Sequence, residues 1–215
     1  MAFTIADILT MAQRFLLDID DDAYRDTSSH QPMLDYYNEA VRRFSSETHC
    51  CQAVVDVAVT AQTITYASIV SAIGASAEQV LYIIKIIPKT GTNYTPLPKA
   101  PVSEMRALLA STVTTPERYS IFAEKIRFDT HPDTTLSFTA TIYCSFVPVD
   151  ETDTSQNTLI PDEWVQAIVK YIVFCCRITD RDSGIANGAY AEFEAIKQTA
   201  ANLFISQIEK IPGVV

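Results

Sequence analysis

The sequence predicts an α+β protein in which helix pairs at the two ends of the chain form a four-helix bundle and an antiparallel β-rich lobe is inserted between them. Two observations carry that expectation. Near both ends apolar residues recur every three or four positions, the spacing of a helix with one buried face, whereas between about residues 52 and 147 they recur every second position, the spacing of a strand. The middle region also lacks the strand–helix–strand rhythm of a parallel sheet, so its four to six strand candidates read as an antiparallel sheet or small sandwich. The expected boundaries are residues 1–51 and 158–215 for the bundle and 52–157 for the inserted lobe, which closes in an acidic linker over 149–157.

The first helix is expected to be capped by Thr4 with Asp7 three residues on, and stapled by Phe3 onto Ile8. Ile5, Ile8, Leu9, Ala12, Phe15 and Leu16 then share a face, and the helix stops in the acidic stretch 18–26. A second helix starts at Ser29 with Pro32 in its first turn, and buries Leu34, Tyr37, Val41 and Phe44. Val55, Val57 and Val59 alternate with polar or small residues, residues 80–87 form a continuous apolar run, and Leu136 to Phe146 alternate most clearly of all. Between these lie a loop at 91–93, prolines at 96, 98 and 101, a short helix near 103–110, and two short strand candidates at 119–122 and 125–128. Helix returns at Pro161, with Trp164, Ala167, Ile168, Tyr171, Ile172 and Cys175 facing the core. After a turn around 180–188 a long last helix is expected to bury Ala189, Phe193, Ile196, Ala200, Leu203 and Ile208.

The 215 residues suit one domain with a substantial insertion, and 48% hydrophobic against 20% charged content is that of a folded globular chain. Sixteen Lys and Arg against 26 Asp and Glu leave a net charge of −10. Tight nucleic-acid binding needs clustered cations, and only short groups such as Arg42–Arg43 occur. A wall that DNA must pass without adhering, in contrast, should be acidic or neutral. The N-terminus has no signal-peptide core, and the apolar runs are too short or interrupted to span a bilayer, so a soluble cytoplasmic product with no membrane partner is expected.

Chemistry is sparse. Asp18, Asp20 and Asp22 resemble the start of a calcium loop, but Ala23 stands where glycine must turn the chain and Ser29 where a bidentate Glu is required. His30, His49 and His131 lack partners at metal-ligand spacing, and His49 with Cys50 is a poor nucleophile dyad because adjacent side chains seldom orient together. Of the five cysteines four form adjacent pairs, Cys50–Cys51 and Cys175–Cys176, without zinc-site spacing, and they read as buried thiols in a reducing compartment. Five glycines leave little scope for a phosphate-binding loop. The expectation is no catalytic residue, no cofactor and no metal.

Tyr24-Arg25-Asp26-Thr27, followed by Leu34-Asp35-Tyr36-Tyr37-Asn38-Glu39-Ala40-Val41-Arg42-Arg43, resembles bacteriophage head–tail adaptor (connector) proteins. Members show an Arg-aromatic-Ser/Thr approach to the second helix and then Leu-x-x-Tyr-x-Asn-Glu-Ala; here Asp26 takes the aromatic place. The likeness continues through Thr115-Pro116-Glu117-Arg118-Tyr119, Ile126 to Asp129, Pro132-Asp133, the strand ending at Pro148, Leu159 to Glu163 with Ala167 and Tyr171, and Ala189 with Phe193. What the resemblance implies is a structural protein of the virion neck that forms a homo-oligomeric ring, usually of twelve copies, between the portal protein and a tail or nozzle protein, and lets DNA pass. Tyr24, Arg25, Tyr36, Asn38, Glu39 and Arg42 are the interface candidates. The alternatives are a tail-tube or tail-completion protein and, from another class, a small cytosolic hydrolase, which would need a pocket holding two titratable groups with displaced pKa values.

Overall fold

A computed structural model describes residues 3–16, 31–89, 95–105, 116–130 and 136–208. Helix and sheet are mixed, and the described residues divide into two compact units. One takes in those of Met1–Cys51 and Pro148–Ile205; the other takes in Gln52–Val147 and the last described residues from Ser206. The expected second helix start at Ser29, the acidic stretch 18–26, His30, His131 and the loop at 91–93 lie outside the described residues.

The first unit is helical. α1 (Ile5–Leu16) opens on the capping box: the Thr4 amide and hydroxyl donate to Asp7 Oδ2 at 3.0 and 2.7 Å, and the Asp7 amide donates back to Thr4 Oγ1 at 3.2 Å. Ile5, Ile8, Leu9, Ala12 and Leu16 are buried, but Phe15 is 51% exposed, with the Lys170 ammonium 4.4 Å from its ring centre, so it leaves the expected stripe. α2 (Gln31–Thr48) buries Leu34, Tyr37, Val41 and Phe44 as its spacing predicts, with Met33 and Ala40 beside them. A 3₁₀ turn (Asp162–Trp164) leads into α5 (Val165–Thr179), which packs against both α1 and α2. Val165, Val169, Val173 and Cys176 are therefore buried in addition to Ala167, Ile168, Tyr171 and Ile172, while Trp164 and Cys175 are only half-buried. A helix enclosed by neighbours needs no polar face, and a single-stripe reading of it was too narrow.

α6 (Ser183–Ile208) begins earlier than expected. The turn shrinks to residues 180–182, because the Asp182 carbonyl and carboxylate accept from Ala186 and Ile185 at 3.1 and 3.4 Å and start the helix there. Its buried stripe is Ala186, Ala189, Phe193, Lys197, Ala200 and Phe204; Ile196 is half-buried and Leu203 is 44% exposed. Ala189, Phe193 and Ala200 are buried as expected, and at two positions the buried residue is the next one along, Lys197 for Ile196 and Phe204, stacked on His49 at 4.6 Å, for Leu203. Phe193 joins α6 to α2 and α5, lying 6.2 Å from Phe44 and 4.9 Å from Tyr171.

The second unit holds two three-stranded sheets: β1 (Gln52–Val59), β6 (Phe138–Pro148) and β3 (Ala77–Lys89) in the order β1-β6-β3, and β2 (Thr63–Thr65), β5 (Lys125–Phe128) and β4 (Tyr119–Phe122) in the order β2-β5-β4. β1 runs antiparallel to β6, with Gln52 opposite Ser145 and Val59 opposite Phe138. Val57, Val59, Ala140, Ile142 and Cys144 point into a core shared with Val80, Ile83, Ile86, Ile126 and Phe128. Along β3 those core residues are spaced by three, so the strand is not a simple alternation.

α3 (Tyr66–Ile73) stands where no helix is expected. Thr65 caps it, accepting from the Ser68 amide at 3.2 Å, and Gly74 ends it at φ 96° with its amide on the Val70 carbonyl. Short, with only Ile69 fully buried, it has too few turns to show a helical period in sequence. The helix expected near 103–110 is described as α4 (Val102–Met105), its remainder lying outside the described residues.

The β4–β5 hairpin carries the most unusual backbone. Phe122 pairs with Lys125, so Ala123 and Glu124 form a two-residue loop with φ 48° and 58°, a left-handed pair ordinarily given to Asn-Gly. The Glu124 carbonyl also accepts from the Tyr66 amide at 2.9 Å, which ties this turn to the start of α3. Ala123→Asn with Glu124→Gly should raise the urea midpoint, by the equivalent of about 1 kcal/mol. A lowered midpoint would show that the turn is not strained.

Candidate functional site

The residues of α2 singled out by sequence all lie on one helix, and four of them are described: Tyr36, Asn38, Glu39 and Arg42. Tyr24 and Arg25 lie outside the described residues. Each of the four has a partner within the helical unit. Asn38 makes a reciprocal pair with the backbone of Glu151, its Nδ2 donating to the carbonyl at 2.9 Å and its Oδ1 accepting from the amide at 3.0 Å. One turn on, Arg42 Nη2 donates to both carboxylate oxygens of Asp150, at 2.7 and 2.8 Å. Glu39 accepts from the Tyr171 hydroxyl of α5 at 2.6 Å, and the Tyr36 hydroxyl lies 3.3 Å from Thr179 Oγ1. Burial, and then the bond to Glu39, push the Tyr171 hydroxyl far above the ordinary tyrosine range.

These contacts change the reading of residues 149–157. They were expected to be a polar linker belonging to the inserted lobe, but the segment belongs with the helices, and the boundary falls at Pro148. The reason is hydrogen bonding. Asn38 and Arg42 hold 150–151, the Ile5 and Ala6 amides at the open end of α1 donate to the carbonyls of Gln156 and Thr154 at 3.0 and 2.9 Å, and Thr4 bridges Asn157. The Thr158 hydroxyl lies 2.8 Å from that of Tyr37, whose pKa burial pushes up to about 12. The strap thus satisfies helix-end amides that would otherwise need water.

The dent that Tyr37, Asn38, Val41, Val149, Asp150 and Leu159 line has a volume of about 10 Å³. That is room for one water at most, not for a small-molecule substrate. Among the described residues no group of three or more His, Cys, Asp and Glu could hold a metal ion, and no helix is long and apolar enough to cross a membrane. Cys144 and Cys175 have thiols pushed up to about 11 and 12, burial being the main cause in both, which is the opposite of an activated nucleophile.

A sequence model described as SU10 adaptor protein matches residues 3–207, nearly the whole chain. The chain belongs to the SU10 adaptor protein family. No curated protein matches it. Membership makes this adaptor a bacteriophage structural component, in line with the resemblance carried by the second helix.

The adaptor also has a polar cluster that sequence reading missed. Lys197, in the middle of the buried stripe of α6 and with a side chain 9% exposed, reaches Glu47 of α2 at 2.6 Å and Glu194 at 2.8 Å. Arg43 adds contacts to Glu194 at 3.6 Å and Glu47 at 3.7 Å, and donates to the Tyr190 hydroxyl at 2.6 Å. Burial alone would raise Glu194, but bonds from Lys197 and Tyr190 outweigh it and hold the carboxyl below its ordinary value. Burial alone would lower Lys197, and Glu194 and Glu47 likewise reverse that.

Two predictions separate the roles in this adaptor. Asn38→Ala strands the half-buried backbone groups of Glu151 and should cost about 1–3 kcal/mol in chemical denaturation, whereas Arg42→Ala removes a pair 51% exposed on each side and should cost under about 1 kcal/mol. Equal losses would contradict this. For the second cluster, Glu47→Gln with Glu194→Gln leaves a buried ammonium without its counter-charges and should cost about 3 kcal/mol, more than the roughly 1 kcal/mol expected for Lys197→Met, which leaves two carboxylates that water can reach. Because the folded-state pKa of Glu194 is depressed, its contribution is present above the ordinary value of 4.5 and is lost as pH falls through the folded value. The penalty of Lys197→Met should therefore shrink in acid; a penalty constant from pH 7 to pH 3 would contradict the assignment.

Proposed function

We propose that the protein is a head–tail adaptor of the virion neck: a homo-oligomeric ring that joins the portal protein to a tail or nozzle protein and through which DNA passes. The observation that carries this reading is the family match over residues 3–207. The acid balance of the chain supports it. At −10 per chain, twelve copies, the number the resemblance implies, hold a formal charge of about −120. Like charge keeps a duplex from adhering to a channel wall within the 8–10 Å over which salt leaves it unscreened.

In this reading the helical unit is the bundle about which the ring is built, α1, α2, α5 and α6 contributing its four helices. Asn38 and Glu39 bind Glu151 and Tyr171 within the unit. Glu39 and Arg42, exposed on α2, with half-buried Tyr36 beside them, are the surface offered to a neighbour. Residues 53–147 form a separable lobe whose ends lie side by side, Gln52 opposite Ser145.

Negative-stain imaging of the purified protein, alone and with portal protein, tests the proposal. Rings in either sample, closed by about twelve copies, are expected. Particles that stay monomeric with and without portal, and fail to bind it, would overturn the reading.

A further inference from the structure

The two sulfur atoms just beyond α2 are placed as neighbouring cysteines seldom are. α2 ends at Thr48, His49 takes a left-handed conformation (φ 54°), and Cys50 and Cys51 follow with their Sγ atoms 3.9 Å apart. Along an extended strand or a helix consecutive side chains diverge, whereas here both thiols come out on one side. Both are free; Cys51 is buried and Cys50 half-buried, so the pair is approached through Cys50. Cys51 Sγ donates to the Leu159 carbonyl at 3.7 Å, and between the two sulfurs either thiol can be the donor. The hydrogen bond between the thiols, against the effect of burial, holds Cys50 below its ordinary range, and together with burial it drives Cys51 far above its own.

The separation fits a bridging atom better than a direct bond. Two thiolates stand about 3.8 Å apart at a tetrahedral centre with bonds of about 2.3 Å, and somewhat closer at a pyramidal three-coordinate one, so the pair closes by a small side-chain rotation when it is bridged. A disulfide needs sulfurs about 2.05 Å apart and usually Cα atoms at least about 4.4 Å apart, against about 3.8 Å across one trans peptide. Among the described residues no third His, Cys, Asp or Glu joins the pair, so it suits a centre that takes two sulfurs and carries its own remaining substituent. That describes an organic trivalent arsenical, not a zinc ion.

We propose that Cys50 and Cys51 form a two-sulfur site for organic trivalent arsenicals, with Cys50 as the attacking thiol. In the reaction with an arsenoxide the Cys50 sulfur bonds to arsenic and its proton passes to the oxygen. The Cys51 sulfur then displaces that oxygen, whose second proton comes from Cys51. Two arsenic–sulfur bonds form, the arsenic–oxygen bond is lost as one water, and no electrons change hands. The other adjacent pair, Cys175–Cys176, occupies consecutive positions of a helix and has an outer thiol raised by burial and by Glu39, so it supplies an internal control.

The test uses the full chain with one equivalent of phenylarsine oxide, read by intact mass and by peptide mapping. One adduct formed with loss of one water, mapping to the peptide that holds residues 50 and 51 and removed by a dithiol, is expected. It should persist in Cys175→Ser and disappear in Cys50→Ser. Absence of an adduct on the unaltered chain, mapping to residues 175 and 176, or persistence in Cys50→Ser would overturn the site. Because the presence and the position of the adduct are read on the unaltered chain, a folding defect in a variant cannot imitate those two results.

Discussion

The helical unit depends on a chain that leaves after α2 and must be caught again when it returns at Pro148. The catch is a pair of hydrogen bonds between one amide side chain and one peptide unit, Asn38 with Glu151. An asparagine is the smallest side chain that offers a donor and an acceptor in the geometry of a peptide group, so it can stand in for a strand partner where none exists. Once 150–151 is fixed, the next residues fall within reach of the open end of α1, and their carbonyls accept the amides of Ile5 and Ala6. α5 then starts from a defined place and is packed by α1 and α2. Apolar burial supplies most of the stabilisation, but it does not by itself say where a returning chain must land.

Much of the architecture was legible because it depends on local patterns. The capping box at Thr4 and Asp7, the stripe of α2, and the alternation of β1 and β6 need only neighbours three, four or two residues away. The errors share a physical cause. Phe15 and Leu203 were misplaced and Lys197 missed because apolarity was taken as a proxy for burial, and burial of a lysine depends on Glu47, a residue far away in sequence. α5 was read as one-sided because nothing local tells how many neighbours a helix has. α3 is too short for a period.

The candidate site was legible in a different way. Asn38, Glu39 and Arg42 stood out through resemblance, and the resemblance said nothing of their partners. Those partners are a backbone segment, a tyrosine and an aspartate more than a hundred positions away, separated from α2 by the whole β-rich region. The acidic character of 149–157 suggested a solvated linker, since the sequence shows side-chain charge and the strap is held largely by its main chain.

A last consequence follows from the lysine inside the stripe of α6. Among its described side chains the other buried positions of that helix are three alanines and two phenylalanines, a surface smooth enough to slide by a turn against its neighbours at small cost. Lys197 removes that freedom. Moved up or down by one turn, its ammonium would leave Glu47 and keep only Glu194, which travels with it on the same helix, so the one charge pair that spans the two helices would be broken. The charge acts as a detent on the helix axis: it adds little net stability, yet it singles out one longitudinal setting among several that the apolar contacts alone would tolerate.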